Sequence, residues 1–180
     1  YINKLGYSKN NWNILGYSSE KYLDFYKNAF EYILDLNLRG INIIETKSIF
    51  IFNKLMNNKG NLEMFSPPCT AIKKQLLYDP LGDIYTCDEG RNDPEIFKIG
   101  NINPGINSEK EKLFFINLKK SISECNNCSI LEYCGPCLAL NSPVSKNCIE
   151  RCKILKNLFQ YIKNLIEDKE ILVIFNKYTS

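Results

Sequence analysis

The chain has 180 residues, of which 44% are hydrophobic and 12% aromatic, and its formal net charge is +3. This length corresponds to about one to one and a half domains with a real core. The lysines are scattered among acids and form no basic stripe, so the sequence predicts binding neither to nucleic acid nor to a membrane surface. It shows no membrane-spanning apolar run and no signal-peptide pattern, which predicts a soluble, cytoplasmic protein.

The first predicted element is an amphipathic helix over about 20–37. Its apolar residues recur at three- and four-residue steps, the serines at 18–19 are candidate N-caps, and Gly40 follows as a stop. The aromatic stripe on this helix is typical of core packing. The segment "INIIE" at 41–45 predicts a short strand, and 46–56 predicts a second helix.

A β-hairpin is predicted over about 72–87. The sequence "DPLG" at 79–82 supplies its turn, with proline at a turn position and glycine where φ is positive. Cys69 precedes the first strand and Cys87 follows the second. Because the outer ends of a hairpin are neighbours, we expect these two thiols to lie close together.

The second half of the chain is predicted to be mainly helical. A loop at 100–105 leads into a helix at about 109–123, which a capping box beginning at Ser108 would start. A last helix is predicted at about 150–167, with Cys152 on its inward face. The expected fold class is therefore α+β.

The eight cysteines, in a chain without histidine, are the main chemical feature. Paired Cys-x2-Cys motifs bind metals or carry redox chemistry in the cytosol, whereas secreted proteins use cysteines for disulfides. Without an export signal, disulfides are the least favoured interpretation. Spacing alone fits zinc and iron–sulfur centres equally well. Four cysteines form the tightest group, within "CNNCSILEYCGPC": Cys125, Cys128, Cys134 and Cys137.

The complete cysteine array resembles the SPASM domain, the auxiliary iron–sulfur domain at the C-terminus of many radical SAM enzymes that modify peptides and proteins. The resemblance covers about 66–155, and it favours iron–sulfur over zinc. The segments "YTCDEGR" and "YCGPC" are further similar to maturases associated with His-Xaa-Ser repeat peptides. One spacing departs from the family pattern, because the last pair of the cluster is two residues apart instead of three. The array reads Cys69-x12-Gly82-x4-Cys87, then Cys125-x2-Cys128-x5-Cys134-x2-Cys137, then Cys152.

The resemblance implies two [4Fe–4S] clusters with interleaved ligands. The first centre would take Cys69, Cys87 and Cys137. This centre is one thiolate short, so Cys148, a non-cysteine ligand or a substrate would complete it, or one iron stays open. No catalytic residue is implied in this chain. The second centre would take Cys125, Cys128, Cys134 and Cys152.

The resemblance also implies a division of the chain and a larger enzyme. Residues 1–62 would end a radical SAM partial barrel with its bridging helices, and 63–180 would form the SPASM domain. The Cys-x3-Cys-x2-Cys motif that holds the SAM-binding cluster in that family is absent, so the chain should be inactive alone. The opening without Met predicts a missing N-terminal radical SAM domain, and only the full-length enzyme would use S-adenosylmethionine.

The expected partner is a peptide or protein substrate, made by the ribosome and modified by that larger enzyme. The alternative from another class is a stand-alone adaptor protein whose thiolates bind zinc for structural reasons. The metal that the cysteines hold, iron–sulfur or zinc, therefore distinguishes the enzyme hypothesis from the adaptor hypothesis.

Overall fold

The structure is a computed structural model that describes residues 6–57, 70–123, 125–131, 133–134, 137–141 and 148–179. The chain divides into two compact units, each built from separate stretches of sequence. The predicted division at 62/63 into a barrel end and a SPASM domain stays a prediction. Unit 1 consists mainly of Tyr17–Leu62 and Ile149–Ser180, and unit 2 of Ile2–Gly16 and Glu63–Cys148.

Helices and a small antiparallel sheet make up the described chain, so the predicted α+β class is confirmed. The helices are α1 (Gly6–Asn10), α2 (Trp12–Leu15), α3 (Ser19–Leu38), α4 (Thr46–Asn57), α5 (Pro94–Phe97), α6 (Ser108–Ser123), α7 (Leu138–Asn141), α8 (Cys148–Leu165) and α9 (Lys169–Lys177). The strands are β1 (Leu77–Tyr78), β2 (Asp83–Tyr85), β3 (Lys98–Asn101) and β4 (Gly105–Ile106).

In unit 1, α3 confirms the helix that was predicted at 20–37. Ser18 is its cap, because the Ser18 hydroxyl oxygen accepts a hydrogen bond from the backbone N–H of Lys21 at 3.2 Å. Gly40, with φ of +86°, follows the last turn. The helix buries Leu23, Tyr26, Phe30 and Leu34 on one face.

The strand predicted at 41–45 is wrong, since this segment takes no regular structure. Side chains satisfy its backbone instead. The Asn37 side-chain amide donates to the carbonyl oxygen of Ile43 at 2.8 Å. The Glu45 carboxylate accepts from the N–H groups of Lys47 at 3.2 Å and Ser48 at 2.6 Å, and it thereby caps α4. The Glu45 cap of α4 therefore determines the conformation of this segment, although its three isoleucines favour a strand.

The last predicted helix corresponds to α8, which begins at Cys148, two residues earlier than the predicted start at 150. Its inward face carries five buried apolar residues. The buried residues of α8 are Ile154, Leu155, Leu158, Phe159 and Ile162.

The predicted elements end at 167, yet a further helix, α9, follows at once. The Asp168 carboxylate caps α9 by accepting from the N–H of Glu170 at 2.8 Å. Phe175 on α9 is buried and stacks on Phe52 with ring centroids 4.7 Å apart, and it meets Phe30 at 6.0 Å. Helix α9 therefore supplies part of the aromatic core of unit 1.

The core of unit 2 lies beside an antiparallel meander with strand order β1-β2-β3-β4. The predicted hairpin turn is confirmed, because the Gly82 N–H donates to the carbonyl oxygen of Asp79 at 3.0 Å and Gly82 has φ of +80°. Its strands are shorter than predicted and pair only over Leu77–Tyr78 and 84–85. Between β2 and β3 the register shifts after Ile84, which forms a β-bulge.

The loop predicted at 100–105 is instead the tip of a second hairpin, formed by β3 and β4. Its strands are too short to produce a readable alternation of apolar and polar residues. Gly100 permits the pairing, because the backbone of β4 passes close above it. A Cβ atom at Gly100 would lie 2.3 Å from the carbonyl oxygen of Gly105 and 2.9 Å from the Cα of Ile106.

Gly100→Ala is expected to lower the free energy of unfolding by about 2–3 kcal/mol, because the added methyl group overlaps the backbone of β4. Gly105→Ala is the matched control. A Cβ there meets no atom within 4 Å, so this variant bears only the cost of its φ of +82°, about 1 kcal/mol. Urea unfolding of both variants tests the difference, and a smaller loss for Gly100→Ala than for Gly105→Ala would contradict it.

The helix predicted at 109–123 is confirmed as α6, but the capping box beginning at Ser108 is wrong. The cap is Asn107, one residue earlier, whose side-chain oxygen accepts from the N–H groups of Glu109 and Lys110, both at 3.0 Å. Phe114 and Leu118 on α6 point into the core of unit 2. None of the helices in the described ranges is both long and apolar enough to cross a membrane.

Candidate metal centre

The structure describes the side chains of six of the eight cysteines. All six are half-buried, and no disulfide joins any of them: Cys87, Cys125, Cys128, Cys134, Cys137 and Cys152. Cys69 lies outside the described residues, and so does the side chain of Cys148, although its backbone begins α8. The closeness predicted for Cys69 and Cys87 therefore stays a prediction.

Cys87 and Cys137, which are distant in sequence, pack against the same apolar cluster. Cys87 comes two residues after the end of β2, and Cys137 immediately precedes α7. This cluster, called here the unit 2 core, collects side chains from α5, α6 and α7. Its buried members are Ala71, Phe97, Phe114, Leu118, Leu138 and Ala139. Two of the three cysteines predicted for the first centre thus pack against the same core.

The Cys87 thiol is half-buried. Its pKa is raised to about 11, mainly by burial, and the nearby Cys137 and Asp88 contribute to the rise. Two hydrogen bonds act in the opposite direction, from the backbone N–H of Gly90 and from the Thr86 hydroxyl, whose oxygen is 3.9 Å from the sulfur. A thiolate at such a site is stabilised by a directly bound cation.

The residues that follow Cys69 run beside Thr86, which lies between the end of β2 and Cys87. Ala71 belongs to the unit 2 core, and the N–H of Ile72 donates to the carbonyl oxygens of Thr86 at 3.2 Å and Gln75 at 3.0 Å. Ile72 has φ of 68°, which is strained for a β-branched residue. These bonds hold a strained backbone against the end of β2, as is common at functional sites.

The described residues 125–131 and 133–134 form tight turns. The N–H of Cys128 donates to the carbonyl oxygen of Cys125 at 2.9 Å, and that of Cys134 donates to Ile130 at 2.8 Å. Such turns are typical of Cys-x2-Cys metal ligands. Over the ranges that the structure covers, however, no three or more cysteine or acidic side chains come together as a ligand set. The second centre, whose fourth ligand would be Cys152 on α8, stays a prediction.

The described residues of the two proposed centres differ in their surroundings. At the first, two half-buried thiols pack against one apolar core. At the second, Cys125, Cys128 and Cys134 are the right donors in the right turns but are not gathered.

Sequence reasoning missed Thr86, whose hydroxyl oxygen lies 3.9 Å from the Cys87 sulfur to which it donates.

A small antiparallel meander with surrounding helices and cysteine-rich turns defines an α+β protein with a candidate thiolate metal site. A solved structure with this fold is the histidine-tagged anSMEcpe with bound AdoMet, an anaerobic sulfatase-maturating enzyme. The TM-score is 0.56 at 16% identity, over 92% of this chain and 46% of that one. The chain therefore spans about half the length of that enzyme.

At this identity the likeness shows the fold alone. No protein-family model matches the chain, and no curated protein matches it either.

Proposed function

We propose that this chain is the auxiliary-cluster portion of a radical SAM enzyme that modifies a peptide or protein. The observation that carries the proposal is the packing of both Cys87 and Cys137 against the unit 2 core. The fold likeness to a maturating enzyme solved with AdoMet supports it. In this proposal Cys69, Cys87 and Cys137 hold the first cluster, with Cys148 as a candidate fourth ligand.

The second cluster would be held by Cys125, Cys128, Cys134 and Cys152. When bound, [4Fe–4S] clusters accept and release single electrons at potentials that the protein sets. The chain's own part is to bind the sulfur-ligated iron and to shield it from water. At the first centre the rings of Phe97 and Phe114, 6.1 Å apart, belong to the buried core against which both thiols pack.

Chemistry on S-adenosylmethionine is assigned to a radical SAM domain outside these residues, because the 180 residues contain no Cys-x3-Cys-x2-Cys motif. The peptide or protein substrate and the cytoplasmic location belong to the same proposal. The competing function is a zinc-stabilised adaptor, which the turns at Cys125–Cys128 and near Cys134 favour because zinc accepts the same ligands.

Metal analysis of the anaerobically purified 180-residue chain separates the two functions. We expect brown protein with about eight iron atoms and matching sulfide per chain, and broad absorption near roughly 400 nm. The matched control is Cys87→Ala combined with Cys128→Ala, which removes one ligand from each proposed centre and should leave little iron. Colourless protein with about two zinc ions would establish the adaptor instead.

A further inference from the structure

Three tyrosines of unit 1, called here the tyrosine row, follow one another toward a buried phenol. The rings of Tyr17 and Tyr22 stack with centroids 6.2 Å apart, and the ring of Tyr26 follows at 6.0 Å from Tyr22. Tyr17 and Tyr22 are half-buried, whereas Tyr26 is only 7% exposed. Because electrons pass readily between rings in such contact, an oxidising equivalent that enters at Tyr17 has a path to Tyr26.

The Tyr26 hydroxyl has a proton acceptor fixed against it. It donates to Oε2 of the Glu45 carboxylate at 2.5 Å, which is the contact that a base needs in order to take a proton. The N–H of Ser48 donates to the same oxygen at 2.6 Å and holds the carboxylate in place. Burial and the bond to Glu45 raise the pKa of Tyr26 well above its usual range, so the phenol keeps its proton until an electron is removed.

The rings on either side of Tyr26 are poorer places for an oxidising equivalent. The Lys47 ammonium donates to the Tyr22 oxygen at 2.5 Å and lies 5.0 Å from the centre of that ring, and its positive charge opposes loss of an electron there. It is farther from the Tyr26 ring, at 5.8 Å. Phe30, whose ring centroid is 6.1 Å from that of Tyr26, has no hydroxyl proton to release. The row therefore ends at Tyr26.

We propose that Tyr26 is a redox-active tyrosine, which a strong outer-sphere one-electron oxidant oxidises through the tyrosine row. The electron leaves through Tyr22 and Tyr17 and reduces the oxidant. The O–H bond of Tyr26 breaks and its proton passes to Glu45, which leaves a neutral tyrosyl radical beside a carboxylic acid. A one-electron reductant restores Tyr26, which then takes its proton back. The inference goes beyond the proposed function and does not depend on the metal that the cysteines hold.

Flash oxidation of the anaerobically purified 180-residue chain tests the proposal. A light pulse produces tris(bipyridine)ruthenium(III), with a cobalt(III) ammine as electron acceptor, and freeze-quench electron paramagnetic resonance follows the radical. Tyrosine deuterated on its ring narrows the signal, which separates a tyrosyl radical from one on cysteine or metal. Tyr26→Phe removes the phenol, and Glu45→Gln keeps an acceptor oxygen at the helix cap but is a far weaker base. Tyr32→Phe is the matched control, because Tyr32 lies on the same helix and is 62% exposed.

The unchanged chain should form a lasting tyrosyl radical, because the surrounding core separates Tyr26 from other radicals. Tyr26→Phe should lose this lasting signal, and Tyr32→Phe should keep it. Glu45→Gln should form it roughly a hundredfold more slowly, which is the usual contribution of a positioned base. Circular dichroism checks that each variant is folded.

A lasting radical that survives Tyr26→Phe would overturn the inference, and so would an unchanged rate of radical formation in Glu45→Gln. The absence of any lasting tyrosyl radical from the unchanged chain would also overturn it. If Tyr26→Phe does not fold, the rate in Glu45→Gln decides alone. Iron content tests the proposed function separately, so failure of one is distinguishable from failure of the other.

Discussion

The variant Cys137→Ala is expected to lose about half of its iron. The variant Cys87→Ala should lose the same half, because both thiols are proposed to serve one centre. Both thiols pack against the unit 2 core, and this shared packing is why we propose that they serve one centre. Loss of one thiolate from a cluster leaves an iron without its ligand, and the cluster then becomes labile. About four irons should therefore remain in either single variant.

The double variant Cys87→Ala with Cys137→Ala gives the sharper test. If both residues serve one centre, the double variant should keep the same half of the iron as each single variant. Cys128→Ala with Cys137→Ala is the comparison, because it damages both proposed centres and should keep little iron. A pairing in which Cys134 and Cys137 serve the same centre predicts the reverse, namely that the Cys87 and Cys137 double variant is nearly empty.

Phe175→Ala is expected to lower the free energy of unfolding by about 3–5 kcal/mol, close to the whole stability of many small domains. Phe175 is only 1% exposed and is packed between Phe52 and Phe30 in unit 1. Removing its ring leaves a cavity among rigid aromatic neighbours, which collapse poorly around it.

Val173→Ala is the control on the same helix, because Val173 is 68% exposed. Its effect should stay within about 0.5 kcal/mol. Urea unfolding followed by circular dichroism measures both variants. Similar losses for the two would mean that α9 contributes little to the core of unit 1.

The long helices were predictable from sequence because each has a clear apolar period. Helices α3, α6 and α8 repeat apolar residues over four or more turns, and such a pattern has no competing interpretation. The short elements were not predictable. The isoleucines at 41–45 resemble a strand, but the Glu45 cap decides that segment, and α9 is too short for its apolar run to be distinguished from a strand.

The site was only partly predictable. The cysteines and their spacing identify thiolate metal chemistry, but spacing cannot say which thiols meet, because that depends on where β2 ends and α7 begins. The packing of Cys87 and Cys137 against one core required the structure of unit 2.

The bulge between β2 and β3 determines where the chain can tolerate insertions and deletions as sequences diverge. Ile84 pairs with Gly100, whereas the next residue, Tyr85, pairs with Lys98. This shifted pairing lets the N–H of Thr86 bond to Phe97, which belongs to the unit 2 core. One residue added between Gly82 and Cys87 would shift every later pair and turn the side chains to the opposite face. Residues added before Leu77, where β1 begins, would only lengthen a connection. Divergent relatives should therefore vary in length before β1 and keep the count of residues from β1 to Cys87.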